Sequence, residues 1–329
     1  MDKAELRHDP LTREWTIFNE NRTVLPLRAE ASEFEPSPFG AGLERFAPHS
    51  LFQSGDGQGW KVRVVPNRAP VLALEGDVGL HETGLFSRVG GFGAHEIVIE
   101  DPGGRRFFEM DSAQVARVVE AWRVRIEDLM RDGRMTSFSV IKNEGRAAGQ
   151  TVAHSISQIV AMGIVAPALR RKLDSAKEYF AAHQRSLFTD VLAAESRRVV
   201  FENEGCVVFC PYAARSPFEL AVWPKRHCAD FHRITADEVS QLGDAIQRAV
   251  AGIHAALSGV AYHLVLTTAP ARNAHSEEWP GLDEEFCWHV NLLPRLAPAS
   301  GIEVSTGCHV NGVWPEVAAD FLRRLELRR

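Results

Sequence analysis

Between Gly145 and Pro167 the chain reads GRAAGQTVAHSISQIVAMGIVAP. Glycines in such a loop let backbone N–H groups approach an anionic ligand closely. Beyond the loop stand His154 and, four residues later, Gln158, with Ile156 between them; an extended segment turns all three the same way. A run that reads as a strand, 137–143, leads in and ends on Asn143. On its residues alone the stretch reads as a phosphate or nucleotide site, or as a Gly-rich turn with a structural histidine. The candidate ligands are Asn143, Gly149, Gln150, Thr151 and Gln158, and His154 is a candidate for proton or group transfer.

The elements that must position these residues are legible on both sides. Val115, Val118, Val119, Trp122, Ile126 and Leu129 share one face of a helix predicted over 112–131, capped by Asp111 or Ser112. Thr235 and Glu238 form a capping box that opens a second long helix, with Val239, Leu242, Ile246, Val250, Ile253 and Leu257 on its buried face. Strands are expected over 14–18, on both sides of a Pro-Asn turn in 61–74, over 95–100, within 199–210, over 261–266 and over 286–293. One or two helices are expected over 168–195, and Pro315 opens a terminal helix at its first position. Both parts of the chain share an order of strands, a helix of about 20 residues, a strand, a loop, and a strand with polar residues at alternate positions. His154-x-Ile156-x-Gln158 lines up with Cys287-x-His289-x-Asn291, so His289 is a second candidate for chemistry. The division expected is 1–195 and 196–329.

Bulk composition sets the class. With 329 residues, 45% hydrophobic and 24% charged, the chain has the make-up of a globular protein of one large or two moderate domains. A formal charge of −6 speaks against nucleic-acid binding by bulk electrostatics. The polar start, MDKAELRHDP, has no apolar core of an export signal. The longest apolar run, 159–169, is too short to span a bilayer. The five cysteines include no CxxC pair and are expected as free thiols, which places the protein in the cytoplasm.

The central stretch resembles the active-site segment of the galactose-1-phosphate uridylyltransferases, a branch of the histidine-triad superfamily, where members read roughly G-x-S-x-x-H-[SP]-H-[SG]-Q. The resemblance runs from His8 to Glu316 in the same order. It implies an α+β fold of two tandem histidine-triad-like halves, each an antiparallel sheet with packed helices, and a homodimer. In the family the second histidine of the motif is the nucleophile that becomes uridylylated, and the first holds zinc. Here the first is His154, the glutamine is Gln158, and the nucleophile's position is Ile156, which cannot carry a nucleotidyl group.

Elsewhere the resemblance assigns Arg22 to the substrate phosphates and Asn67 and Arg68 to the ribose. Glu303 goes to sugar hydroxyls, and His309 to a position facing the substrate phosphate. The family's C-P-F-C zinc pair is Ser37 and Gly40 here, and the histidine of its P-x-H is Gly104. At the second metal its glutamate is best matched by Lys172, its H-x-A-P histidine by Thr267, and its H-W-H by Cys287-Trp288-His289. Hydroxyl, glycine and lysine are not metal ligands at these positions, so no metal cofactor is expected. The function expected is binding of, or phosphate-group chemistry on, a nucleotide, nucleotide sugar or sugar phosphate, without the covalent histidine route. The alternatives are a non-catalytic nucleotide-sugar binder, and a different chemistry carried by Cys287 or His154.

Overall fold

A computed structural model of the chain describes residues 4–19, 37–57, 59–76, 79–273 and 276–326. Ahead of the main body, β1 (Glu5–His8) and β2 (Trp15–Phe18) form a hairpin. The first half then runs β3 (Phe52–Asp56), β4 (Gly59–Pro66), a small exposed hairpin of β5 (His81–Thr83) and β6 (Phe86–Arg88), β7 (Gly93–Ile99), α1 (Ser112–Leu129), β8 (Ser137–Glu144) and β9 (Ile156–Met162). Two helices follow, α2 (Pro167–His183) and α3 (Leu187–Ala194). The second half repeats the order with β10 (Val199–Glu202), β11 (Cys206–Phe209), β12 (Leu220–Pro224), α4 (Ala236–Leu257), β13 (Tyr262–Thr267), the short α5 (Leu282–Glu285) and β14 (His289–Pro294). The chain closes with α6 (Gly301–Thr306), β15 (His309–Asn311) and α7 (Pro315–Glu326); β15 pairs with β2 and so ties the two ends of the protein together.

The two sets of five strands form one antiparallel sheet in the order β10-β11-β12-β14-β13-β8-β9-β7-β4-β3. The halves meet where β13 pairs with β8, with Val265 opposite Ile141. Around that pair the register is symmetric: Gln158 lies opposite Ile141 and Ile97, and Asn291 lies opposite Val265 and Ala221. The sequence repeat is therefore a structural one, and His289 stands in β14 where Ile156 stands in β9.

Helices α1 and α4 cover one face of the sheet, burying Val115, Val118, Trp122, Leu242, Ile246 and Val250 with alternate strand residues. They cross so closely at Gly243 that a Cβ there would lie 2.7 Å from the Ala116 backbone. Both predicted caps form: the Asp111 carboxylate accepts from the Gln114 backbone N–H, and Thr235 with Glu238 makes the reciprocal box. The second strand expected after the Pro-Asn turn does not form. Asn67 turns the chain through a side-chain bond from the Ala69 N–H, and beyond it only Ala73 bridges, to Phe92.

Under the segment 154–158 lies a wholly buried ion pair. The Lys142 ammonium donates to Glu100 Oε2 at 2.6 Å and to Ser155 Oγ at 2.9 Å, and Glu144 Oε2 lies 3.2 Å away. Ser155 in turn donates to Glu100 at 2.6 Å. Burial pushes the Glu100 carboxyl up; burial also opposes the charge on Lys142, but the two carboxylates hold it protonated. Removing one partner of such a pair strands a charge in the core. Lys142→Met is expected to cost about 3–5 kcal/mol in urea unfolding, and adding Glu100→Gln to recover much of it. A single variant within about 1 kcal/mol of wild type would show that the pair is not closed to water.

Candidate functional site

The buried network decides which way the motif points. Ser155 is held by Lys142 and Glu100, and Ser157 accepts from Trp122 Nε1 at 2.8 Å, so both serines face the helices. With a period of two, Ile156 and Gln158 face the other side. There Ile156 packs with Val65, Ile97, Ile99, Phe39 and Trp60. It lines an open pocket of about 210 Å³ whose walls include Phe39, Asn67, Arg68, Thr151, Val152 and Gln158. An apolar floor with a few fixed polar groups on its rim is a common form of ligand site.

The polar groups are fixed by a residue that the sequence reading passed over. His95 donates from Nε2 to Gln158 Oε1 at 2.7 Å, and its Nδ1 accepts from the Val71 N–H at 3.3 Å. The Asn67 amide nitrogen lies 3.1–3.3 Å from the same ring. With Oε1 engaged, the Gln158 amide nitrogen is the end free to serve a ligand. The alternation of the strand over 95–100 put His95 on this face, and that was the available signal.

The glycine loop is built as a frame. Gly145 (φ 83°) and Gly149 (φ 86°) take left-sided conformations around a short 3₁₀ turn, Arg146–Ala148. A Cβ on Gly145 would meet the Ala261 side chain at 2.7 Å. Gln150, expected as a ligand, turns inward instead: its Oε1 accepts from the Gly145 N–H and its Nε2 donates to the carbonyls of Val152 and His154. Its role is to close the loop. Thr151 is exposed on the pocket rim, and Asn143 stands beside Gly149, its Oδ1 accepting from His263 Nδ1 at 2.9 Å.

His154 is not part of one extended run with Ile156 and Gln158, because the strand begins only at Ile156, and it does not line their pocket. Its ring is buried, donates from Nε2 to the Asp101 carbonyl at 2.8 Å, and meets Phe39 edge-on. Burial keeps its pKa below the ordinary value, so it is a neutral donor. Position 104 does lie against it: a Cβ on Gly104 would sit 3.0 Å from His154 Nδ1. The zinc positions implied by the resemblance thus include neighbours in space, but Ser37, Gly40 and Gly104 offer no thiolate or imidazole and do not fit zinc.

The second metal's positions also converge, on a different cation. Lys172 Nζ lies 2.6 Å from His289 Nε2 and 3.4 Å from Thr267 Oγ1. His289 is wholly buried, its Nδ1–H donating to the Cys287 carbonyl at 3.0 Å; burial and then the Lys172 charge hold it neutral, so Nε2 accepts from the ammonium. Burial lowers Lys172 to about 8. An ammonium in the midst of these residues does not fit a divalent ion beside it. Among the described residues no three His, Cys, Asp or Glu side chains gather in a way that could hold a metal.

Among the described residues the duplicated site is therefore open in one half and largely covered in the other, where a pocket of about 50 Å³ remains beside Lys172, His289 and Asn291. Helices α2 and α3 lay Leu169, Leu173, Leu187 and Phe188 over Phe209, Ala221 and Trp223 on the sheet face that stays open in the first half. Phe188, Trp223 and Phe286 ring His289. Of the remaining expected residues, Asn67, Arg68, Thr151 and Gln158 surround one pocket, whereas Glu303 and His309 line a separate cavity. The Glu303 carboxylate accepts from the backbone N–H groups of Ser300 and Val310. Arg22 lies outside the described residues. No helix among the described residues is long and apolar enough to cross a membrane.

Comparison with known proteins matches this geometry. The HIT domain model matches residues 193–274. The chain is 30% identical to ADP-glucose phosphorylase of Arabidopsis thaliana over 98% of its own length and 93% of that protein's. It is 25% identical to galactose-1-phosphate uridylyltransferase of Thermotoga maritima, over 98% and 99% of the two chains. The crystal structure of an ADP-glucose phosphorylase from Arabidopsis thaliana with bound ADP-glucose superposes with a TM-score of 0.83, at 28% identity, covering 97% of this chain and 98% of that one. A duplicated histidine-triad sheet, a retained Gln158 pocket and similarity over the full length carry one conclusion: the chain belongs to the galactose-1-phosphate uridylyltransferase-like family of the histidine-triad superfamily.

Proposed function

We propose that this protein binds a nucleotide sugar over Ile156 and cleaves its diphosphate by a single displacement, with inorganic phosphate as acceptor. The observation that carries the proposal is the combination in one pocket of an isoleucine and a fully braced glutamine. The residue that would form a covalent intermediate is replaced, and the groups that would position a phosphate are kept. Direct displacement needs positioning and charge stabilisation rather than a nucleophilic side chain. An oxygen of the acceptor phosphate forms a bond to the α-phosphorus. The bond from that phosphorus to the bridging oxygen breaks, and the sugar 1-phosphate leaves with the electron pair. Gln158 Nε2, the Thr151 hydroxyl and Arg68 are the groups of this chain placed to meet the phosphoryl oxygens. ADP-glucose is the first substrate to test, because proteins similar to this chain over nearly its full length are named for it.

A second reading, a binder without turnover, is favoured by one observation: His154 and His289 are both buried and committed to neighbouring groups. Phosphorus NMR separates the two. With ADP-glucose and phosphate, the proposal expects resonances of ADP and glucose 1-phosphate and no nucleotidylated protein by mass spectrometry. Line broadening without new species would select the binder.

Two further outcomes are expected. A single displacement inverts configuration at the α-phosphorus, so a chiral α-thio ADP-glucose should give inverted product; retention would mean a covalent intermediate and sink the mechanism. Gln158→Ala should lower kcat/KM by about 100-fold, the usual cost of one positioned donor to a transition-state oxygen.

Lys172 in the midst of the second metal's positions supports a metal-free protein. Purified protein is expected to carry no stoichiometric zinc or iron by elemental analysis, and a chelator to leave its Tm unchanged. One equivalent of tightly held metal would overturn this.

A further inference from the structure

The cavity of about 50 Å³ that α2 and α3 leave over the second half lies beside Lys172. Leu11, Val191, Phe209, Ala221 and Trp223 make much of its wall apolar. The space exceeds what one water needs, and it is far too small for a nucleotide or a sugar. Most charged groups around it are already paired. Glu219 is held by Arg215 and Glu195 by Arg198, and Asp9 accepts from the backbone N–H groups of Leu11 and Thr12.

Lys172 is the exception. Its ammonium meets His289 Nε2 at 2.6 Å and Thr267 Oγ1 at 3.4 Å, and among the described residues no carboxylate lies within 4 Å of it. Arg215, in the same wall, brings a second positive charge that acts against the first. Glu219 takes Nε and Nη2 of that guanidinium and leaves Nη1 over. Trp223 has an indole N–H that is buried with no hydrogen-bond partner. The wall therefore offers donors and lacks an anion.

A lysine in this setting is a poor cation and an available amine. Burial and then Arg215 lower it to about 8, so the free amine forms at mildly alkaline pH. A reactant that reaches it must be small and uncharged, because an ion would lose its hydration against the apolar wall. Carbon dioxide meets both conditions. Its adduct with an amine is an anion, which turns the repulsion from Arg215 into attraction and gives the indole N–H an acceptor.

We propose that Lys172 is a carbamylation site for carbon dioxide, with the carbamate in this cavity and its oxygens accepting from Trp223 Nε1 and Arg215. The ammonium first loses a proton to solvent. The Nζ lone pair then forms a bond to the carbon, and one C=O π pair moves onto oxygen. A second proton leaves Nζ through His289 Nε2 to solvent, and the side chain passes from one positive charge to one negative. The N–H that remains keeps His289 Nε2 as its acceptor. No oxidant takes part, and the site does not depend on the displacement reading of the Ile156 pocket.

The test is carbon-13 NMR of the folded protein in labelled bicarbonate, which supplies carbon dioxide, at mildly alkaline pH. Wild type should give a carbamate resonance apart from bicarbonate that saturates at one equivalent per chain and vanishes on acidification. Lys172→Met and Lys172→Arg should lack it, whereas carbamates on the terminal amine or on other lysines would persist in both. Trp223→Phe should weaken the uptake by roughly 10- to 100-fold, the range of a hydrogen bond to a charged group, with folding followed by its Tm. Wild type alone gives an independent answer: alkylation of the carbamate with a trialkyloxonium salt and peptide mapping should place the adduct on Lys172. No carbamate resonance, a resonance undiminished in Lys172→Met, adducts on other amines only, or full affinity in Trp223→Phe would each overturn the proposal.

Discussion

The ion pair of Lys142 with Glu100, together with the buried Ile159 and Ala161, sets which face of β9 carries Ile156 and Gln158. In a strand a slip of one residue exchanges the two faces, and H-S-I-S-Q has no strong hydrophobic alternation to prevent that. Ser155 is caught between the ammonium and the carboxylate, and Ser157 is caught by Trp122. These contacts lie on the helix side, where the packing of α1 and α4 is closed to solvent. Ile156 and Gln158 are left with the open side. The network itself is not a ligand site; its effect is to make the pocket's two central residues a consequence of the core.

The duplication shows how one scaffold produced two different outcomes. Both halves use five strands, one long helix and the same register about the Ile141–Val265 pair. What differs is the covering of the second sheet face. The chain between the halves forms α2 and α3, which lie over the second half alone and bring Lys172 to His289. The His289 ring there is buried, and its accepting nitrogen faces the Lys172 ammonium, so the imidazole is held neutral with that lone pair engaged. In the first half the corresponding face keeps only a small apolar cluster, and a cavity persists beside it. The duplicated position thus differs in residue type between the halves and in what covers it.

Much of the scaffold was legible because its signals are local. Asp111 and the Thr235–Glu238 box fix two helix starts, and the apolar faces of 112–131 and 235–257 give their orientation. The repeat could be read because strand, helix and polar-strand signals recur in the same order. The strand expected in 69–74 failed because strand propensity does not see that Asn67 has already turned the chain away from the sheet. The site was legible in part. Ile156, Gln158, Asn67 and Arg68 could be assigned by likeness and Thr151 from the glycine loop, and they do gather. What His154 and Gln150 bond to, the Asp101 carbonyl and the loop backbone, could not be read, since it is fixed by the tertiary fold. Lys172 was visible only as a missing carboxylate, and its contact with His289 spans 117 positions of sequence. His95 looked like an ordinary strand residue because its partners, Asn67 and Gln158, come from other strands or turns.

On the reading proposed above, an isoleucine at the position of the family's nucleophile changes what the rest of the pocket must do. A histidine at 156 would bring its own reactive electron pair, and moderate errors in substrate position would be absorbed by the two-step route. With isoleucine the floor gains apolar contact with Val65, Ile97 and Ile99 and gives up a reactive group. Any rate enhancement must then come from holding two reactants in line, which is sensitive to displacements of an ångström. The Asn67–His95–Gln158 chain suits that demand: each side chain is oriented by another, and the last is left with its donor end for the ligand. On that reading the braced side chains and the isoleucine floor are parts of the same arrangement.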